Sequence, residues 1–318
     1  MTAGVARDRR LPPWLAMGGA VTVGVLTTTQ AQVNGSLAAA LADAQMAALV
    51  SFGSGFLILL AIVPATSAGR AGLRELRAGI RAGRVPWWML LGGCAGAFTV
   101  SVQGGTVATI GVAAFTVGVV AGQTTGGIVL DRVGYGPGGR VGVTIGRLSG
   151  AVFAVAAVVV ALVGAGGSAA PPWMLVLPFL AGAGISYQQA TNGRLRHAVG
   201  SPLTATLVNF AVGTAALAAA WAVHLLVAGP PHAWPAAPWM YAGGALGVVY
   251  IFLSAAIVRH TGVLRLGLGS VVGLLATSAV LDAAFPGRAA PPLPVAIAAV
   301  AVGLAGVIVG TLPGWRRR

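Results

Sequence analysis

Ten stretches of this chain are almost free of charge, and short polar segments separate them. They run roughly over 13–33, 45–64, 86–107, 109–130, 148–165, 171–192, 203–228, 238–258, 262–283 and 292–312. A helix needs about 20 apolar residues to cross ~30 Å of hydrocarbon. Lipid offers the backbone no hydrogen-bond partner, so each stretch predicts a helix that satisfies its own backbone. Trp14, Trp87, Trp88, Trp173, Trp239 and Trp315 fall at the ends of these stretches, where an aromatic belt belongs.

Composition fits that pattern. Of 318 residues, 57% are hydrophobic and 8% charged, against roughly 25% charged in soluble domains. The formal charge of +14 would suggest nucleic acid in a soluble protein. Here the basic residues, all Arg, sit between the apolar stretches and report topology instead. With the N-terminus cytoplasmic, 18 of the 19 Arg fall inside and Arg288 alone falls outside, as the positive-inside rule requires. Five of them, Arg70, Arg74, Arg77, Arg81 and Arg84, lie in one inside loop. No cleavable signal peptide is evident, since the first apolar run is too long for one. Cys94 is the single cysteine, so no intramolecular disulfide can form.

The chain is also written twice. Gln30, Asn34, Gly35 and Leu37 recur 158 residues later as Gln188, Asn192, Gly193 and Leu195. Leu49-Val50-Ser51-Phe52 and Gly55 become Leu207-Val208-Asn209-Phe210 and Gly213. Pro86-Trp87 matches Pro238-Trp239. Gly111, Gly118, Gly122 and Asp131 match Gly262, Gly269, Gly273 and Asp282 at an offset of 151. Five helices per copy make the copies face opposite ways. The expected fold is an all-α membrane bundle of ten transmembrane helices in two inverted five-helix repeats, a plan characteristic of secondary transporters. The repeats cover 13–165 and 171–312, flanked by a cytoplasmic tail at 1–12 and an Arg-rich one at 313–318.

These residues resemble the drug/metabolite transporter superfamily, and within it the YdcZ-like family. The matching stretches are Gln30 to Gly35 before Ser51-Phe52-x-x-Gly55, Pro86-Trp87-Trp88 before Gly92-Gly93, and Gly122-Gln123 ahead of Leu130-Asp131. The second copy supplies Gln188 to Leu195, Gly200-Ser201-Pro202, Val208-Asn209-Phe210 and Pro238-Trp239. The resemblance covers nearly all ten helices and implies the fused form of the family, residence in the inner membrane, and transport of small organic molecules. One departure is plain: Gly273-Leu274 stands where the first copy has Gly122-Gln123.

Polar side chains within membrane spans are costly and mark candidate function. Gln30, Gln32 and Asn34, and their counterparts Tyr187, Gln188, Gln189 and Asn192, could bond a substrate or only tie helices together. Asn-Gly could also simply end a helix. Ser51 and Asn209 hold equivalent places. Gln103, opposite Ser254 in the alignment, and Gln123 could line a substrate path or make interhelical bonds. Asp131 and Asp282 could serve as a gate or coupling-ion site, or as solvated interfacial anchors paired with a loop Arg. Arg265 could snorkel or meet an anionic substrate. His224 is the titratable group of its span, near the outer end. Gly118, Gly122, Gly269 and Gly273 form matched small-xxx-small patterns that suit close helix packing.

The chemistry that is missing narrows the class. No Asp or Glu lies mid-span, which speaks against a carboxylate proton-exchange site like that of small multidrug exporters. No Walker A motif, metal-spaced Cys/His cluster or catalytic triad is present, so neither an enzyme nor a metal or other cofactor is expected. The expected partners are a small-molecule substrate and the lipid bilayer, with no nucleic acid; a monomer or a homodimer both remain open. A membrane enzyme or lipid-handling protein, and a scaffold subunit, are the alternatives to a transporter.

Overall fold

The computed structural model describes residues 11–164, 176–228, 234–284 and 292–311. Ten helices follow in order: α1 Pro13–Leu41, α2 Ala44–Ala65, α3 Ser67–Arg81, α4 Gly92–Val133, α5 Ile145–Gly164, α6 Val176–Val199, α7 Pro202–Ala228, α8 Gly243–Thr261, α9 Val263–Ala284 and α10 Leu293–Thr311. Among the described residues there is no strand. Among the described residues, three segments, Ala44–Ala65, Pro202–Leu226 and Pro238–Thr261, are long and apolar enough to cross a membrane.

Four local features depart from the sequence expectation. First, α1 and α6 do not stop at Asn-Gly. They continue to Leu41 and Val199, and turn at the equivalent residues Ala42 (φ 52°) and Gly200 (φ 69°), both left-handed as helix ends often are. Inside a helix the Asn side chain points sideways to a neighbour, so Asn-Gly is no terminator here. Second, the five-Arg loop is largely helix α3. Its Arg70, Arg74, Arg77 and Arg81 are exposed, while Gly69, Gly72 and Gly79 face the bundle. The Arg spacing of three and four residues is that of one helix face. Third, short 3₁₀ turns at Trp87–Leu90 and Pro238–Tyr241 correspond at the offset of 151. The structural partner of Trp239 is therefore Trp88, one residue from the sequence match through Pro86-Trp87.

Fourth, α4 is helical from Gly92 to Val133 where two spans were expected, yet it occupies two packing positions. The Thr99 hydroxyl donates to the Ala181 carbonyl at 3.3 Å. The Val119 carbonyl lies against the next residue of α6, Gly182, where a Cβ would overlap it. A straight helix would separate residues 99 and 119 by about 30 Å. The helix therefore doubles back between them, and both of its limbs lie on α6.

The two sequence copies are interleaved. Gly182 of α6 abuts Val119 and Gln123 of α4; Gly24 of α1 abuts Ser270 and Leu274 of α9. Gly122 abuts Phe179 and Ala183, and Gly273 abuts Val21 and Val25. Gly93 meets Asn209 and Gly213, and Gly244 meets Ser51 and Gly55. Every member of these pairs is related to its counterpart by 158 or 151 residues. The first helix of each copy thus packs on the fourth segment of the other, and the second helix on the third. These approaches are so close that a Cβ would strike backbone atoms, which explains Gly122 and Gly273 at matched positions. Gly269 adds a contact to Met17 and Ala20, and Gly118 is buried.

Candidate functional site

The repeated amides come together in two clusters. In the first, α1 presents Gln30 and Asn34 one turn apart toward Ser51 of α2 and the start of α8. The Gln30 amide nitrogen donates to the Gly243 carbonyl at 2.8 Å. The Asn34 Oδ1 and the Ser51 hydroxyl are buried without a hydrogen-bond partner among the described residues, although both lie beside Gly243. In the second cluster, Asn209 of α7 replaces Ser51. Its Oδ1 accepts from Gln188 Nε2 at 3.0 Å and from Asn192 Nδ2 at 2.9 Å. Its own Nδ2 is buried with no partner among the described residues; Gln189 Oε1, on the next position of α6, is also buried and unpartnered. Buried polar atoms normally find partners, so open donors and acceptors in both clusters point to a missing one.

Between the clusters stand two aromatic rings. Phe52 and Phe210 follow Ser51 and Asn209 directly, and their rings are tilted at 39° with centroids 5.2 Å apart, within the range of favourable aromatic pairs. Gly96 faces both the Gln188 amide and the Phe52 ring, and Gly247 faces both the Gln30 amide and the Phe210 ring. The chain of contacts runs from Gln30 through the phenyl pair to Gln188. No charged side chain takes part in it.

An apolar plug lies beside each cluster. Leu37, Leu41, Ala47, Val50, Met240 and Tyr241 pack together at one end. Leu195, Val199, Ala205, Val208, Met89 and Leu90, their counterparts by sequence offset, pack at the other. The second plug carries a clasp built around Arg194. Arg194 donates to the carbonyls of Tyr135 and Gly134, which end α4. Its guanidinium lies 4.9 Å over the Tyr135 ring and 5.8 Å over Trp88, within cation–π range. Tyr135 stacks on Tyr187 at 5.5 Å, and its hydroxyl meets that of Thr191 at 3.0 Å. Burial, ahead of its hydrogen bonds, pushes the Tyr135 hydroxyl up to about 12, so it stays protonated. At the matching positions of α1 stand Thr29 and Ser36, which cannot make this clasp.

Asp131 is not a solvated anchor. It is 1% exposed and ion-paired with Arg147. Its carboxylate accepts the Val263 and Leu264 N–H groups at 3.0 and 3.2 Å. It caps the α9 N-terminus from another helix, where a negative charge is favourable. Arg265, one turn into α9, is half-buried, and its Nε lacks a partner among the described residues. The Asp282 side chain lies outside the described residues.

The remaining candidates are dispersed. Gln123 donates to the Ser270 hydroxyl at 3.5 Å, tying α4 to α9 away from the amide clusters. Gln103 is half-buried on α4, and Gln32 is exposed, because a helix places i+2 on the face away from Gln30. Tyr187 belongs to the clasp. Sequence reasoning passed over Gln45, which accepts from Ser101 at 3.0 Å, and Asp43. In the sequence Arg194 reads as topology alone, and Tyr135 has no aromatic counterpart in the second copy.

Comparison with known proteins agrees with this architecture. A solved crystal structure, titled only as that of a protein, superposes with a TM-score of 0.63 at 21% identity, covering 96% of this chain and 98% of its own. At that identity the likeness concerns the fold alone. No curated protein matches the chain. The family model described as "Putative inner membrane exporter, YdcZ" matches residues 15–160 and again 173–309, and the chain therefore belongs to the YdcZ family, in a fused form that carries the family's unit twice.

Proposed function

We propose that this protein is a secondary transporter that moves a small, neutral organic solute across the inner membrane by alternating access. The two copies are inverted halves of ten spans with both termini cytoplasmic. The pair of amide clusters lies one toward each face, as an inverted repeat would place them. The observation that carries the reading is the set of open hydrogen-bonding atoms in the two clusters, Asn34 Oδ1, Ser51 Oγ and Asn209 Nδ2. They offer both donors and acceptors and no charge, which suits a solute bearing amide, hydroxyl or ring-nitrogen groups. Membership of a family described as an inner membrane exporter supports transport.

In this reading Phe52 and Phe210 separate the half-sites, and the two apolar plugs close the ends. Rocking the interleaved helices would open one plug at a time. The Arg194 clasp fastens the cytoplasmic plug to the end of α4. Asp131 holds α4 to α9 and stays a structural tie in the cycle; Asp282 is its proposed counterpart.

A thermal-shift screen of purified protein against neutral metabolites tests the ligand class, since a ligand stabilises the state it binds. Stabilisation of the wild type by an amide- or hydroxyl-bearing solute, lost in Asn209→Leu, is the expected result. Stabilisation that survives in both Asn209→Leu and Gln30→Leu would reject the amide clusters as the site.

A further inference from the structure

The two copies cap their second helices differently. In copy two, Ser201 caps α7, its hydroxyl accepting the Thr204 N–H at 3.3 Å. In copy one the equivalent residue is Asp43, whose Oδ1 accepts the Met46 N–H at 2.9 Å. Ser and Asp cap helices about equally well, so capping alone calls for no charge at residue 43. The carboxylate does something more. Its Oδ2 accepts the Trp221 indole N–H of α7 at 3.2 Å, and His224 Nε2, one turn further, lies 3.7 Å from Oδ1. The residues matching Trp221 and His224 are Val63 and Thr66, which offer no such partners. Asp43 is 7% exposed, and a buried carboxylate needs compensation. The indole supplies a permanent hydrogen bond, and the histidine supplies a charge only when protonated.

We propose that Asp43 and His224 form a proton-binding site that clamps α2 to α7 at the outer plug. Leu41 and Ala47, on either side of Asp43, belong to that plug, so the clamp acts where the outer half-site would open. Histidine changes charge within about pH 5–8. With imidazolium present, α2 and α7 are drawn together; as pH rises the attraction is lost and the indole bond alone remains. Among the described residues no other charged side chain faces the pair from α1, α2 or α7. Tyr241, the titratable group of the plug, donates its hydroxyl to the Pro235 carbonyl at 2.8 Å. The two ends of the molecule thus carry different fastenings: a proton-dependent one at the outer plug and the permanently charged Arg194 clasp at the inner one.

The test is thermal stability of the full-length protein in detergent between pH 5.5 and 8. Wild type, His224→Gln and Asp43→Ser are compared, the last keeping the cap in the form copy two uses. The clamp predicts that wild type is more stable at pH 5.5 than at pH 8, by about 1–2 °C beyond the drift of His224→Gln, the size expected of one partly exposed pair. The excess should vanish in both variants and show no further loss in the double variant. Equal pH dependence in wild type and His224→Gln overturns the proposal. So does an undiminished excess in Asp43→Ser; if that variant does not fold, His224→Gln decides alone. The readout needs no substrate, so a clamp that titrates as expected stands even if no solute is found to move.

Discussion

Replacing Asp131 by Ala should unfasten α4 from α9 and destabilise this protein strongly. The carboxylate is 1% and Arg147 5% exposed. The substitution removes the ion pair and both acceptors for the Val263 and Leu264 N–H groups. It leaves the Arg147 guanidinium buried without its counter-charge, close to Arg265, whose positive charge it feels. Breaking one side of a buried pair costs about 3–5 kcal/mol. In a chain of this size that corresponds to a fall in Tm of roughly 6–12 °C, readable by intrinsic fluorescence in detergent. Removing both partners at once relieves the stranded charge. Asp131→Ala combined with Arg147→Leu should therefore recover about 2 kcal/mol relative to Asp131→Ala alone. A cycle in which the two changes simply add, or an Asp131→Ala protein within about 2 °C of wild type, refutes the assignment of Asp131 as a buried tie. A coupling-ion role gives a different outcome: intact stability with lost flux.

Other substitutions probe the packing and the site separately. Gly93→Ala, whose methyl would strike the Asn209 carbonyl, should cost at least about 2–3 kcal/mol, whereas Gly35→Ala, with open space around it, should be within about 0.5 kcal/mol of wild type; detergent melting curves compare them. Gln123→Leu reproduces the residue of copy two and loses one long interhelical bond, so stability should change by about 0.6 kcal/mol or less. Arg194→Lys keeps the charge but loses the planar fork that reaches two carbonyls and lies over two rings; a cysteine placed at 188 in a Cys94→Ser protein should then label faster from the cytoplasmic side, and an unchanged rate would deny the clasp. A cysteine in the 229–237 segment should react with an impermeant maleimide from outside intact cells; reaction only after permeabilisation would sink the inverted arrangement.

Much of the fold was legible in the residues, for physical reasons. Periodic duplication survives because equivalent positions solve the same packing problem: Gly93 and Gly244, or Gly122 and Gly273, each admit a backbone that no side chain allows. Gln30 and Asn34, and likewise Gln188 and Asn192, share one face because they are four apart on a helix. Gln32, two residues from Gln30, cannot. The reversal within α4 shows in the contacts of Thr99 and Val119, and the sequence between them holds Gly104-Gly105 and Gly111, poor helix formers. Helix α3 was hidden by a search for apolar runs, although its Arg residues recur at helical spacing. The Asp43–Trp221–His224 contact was beyond reach, since it joins residues 178 positions apart that the second copy does not repeat. Tyr135, Trp88 and Arg194 likewise become a unit only through the fold.

The central claim is that solute passes between the two amide clusters, and counterflow in sealed proteoliposomes tests it most directly. With a solute found by thermal shift, wild type should accumulate labelled solute against an unlabelled internal pool. Asn209→Leu should lose most of that exchange while still folding and reconstituting. Exchange undiminished in Asn209→Leu and Gln30→Leu, or solute turnover in detergent with no sealed membrane, would contradict it.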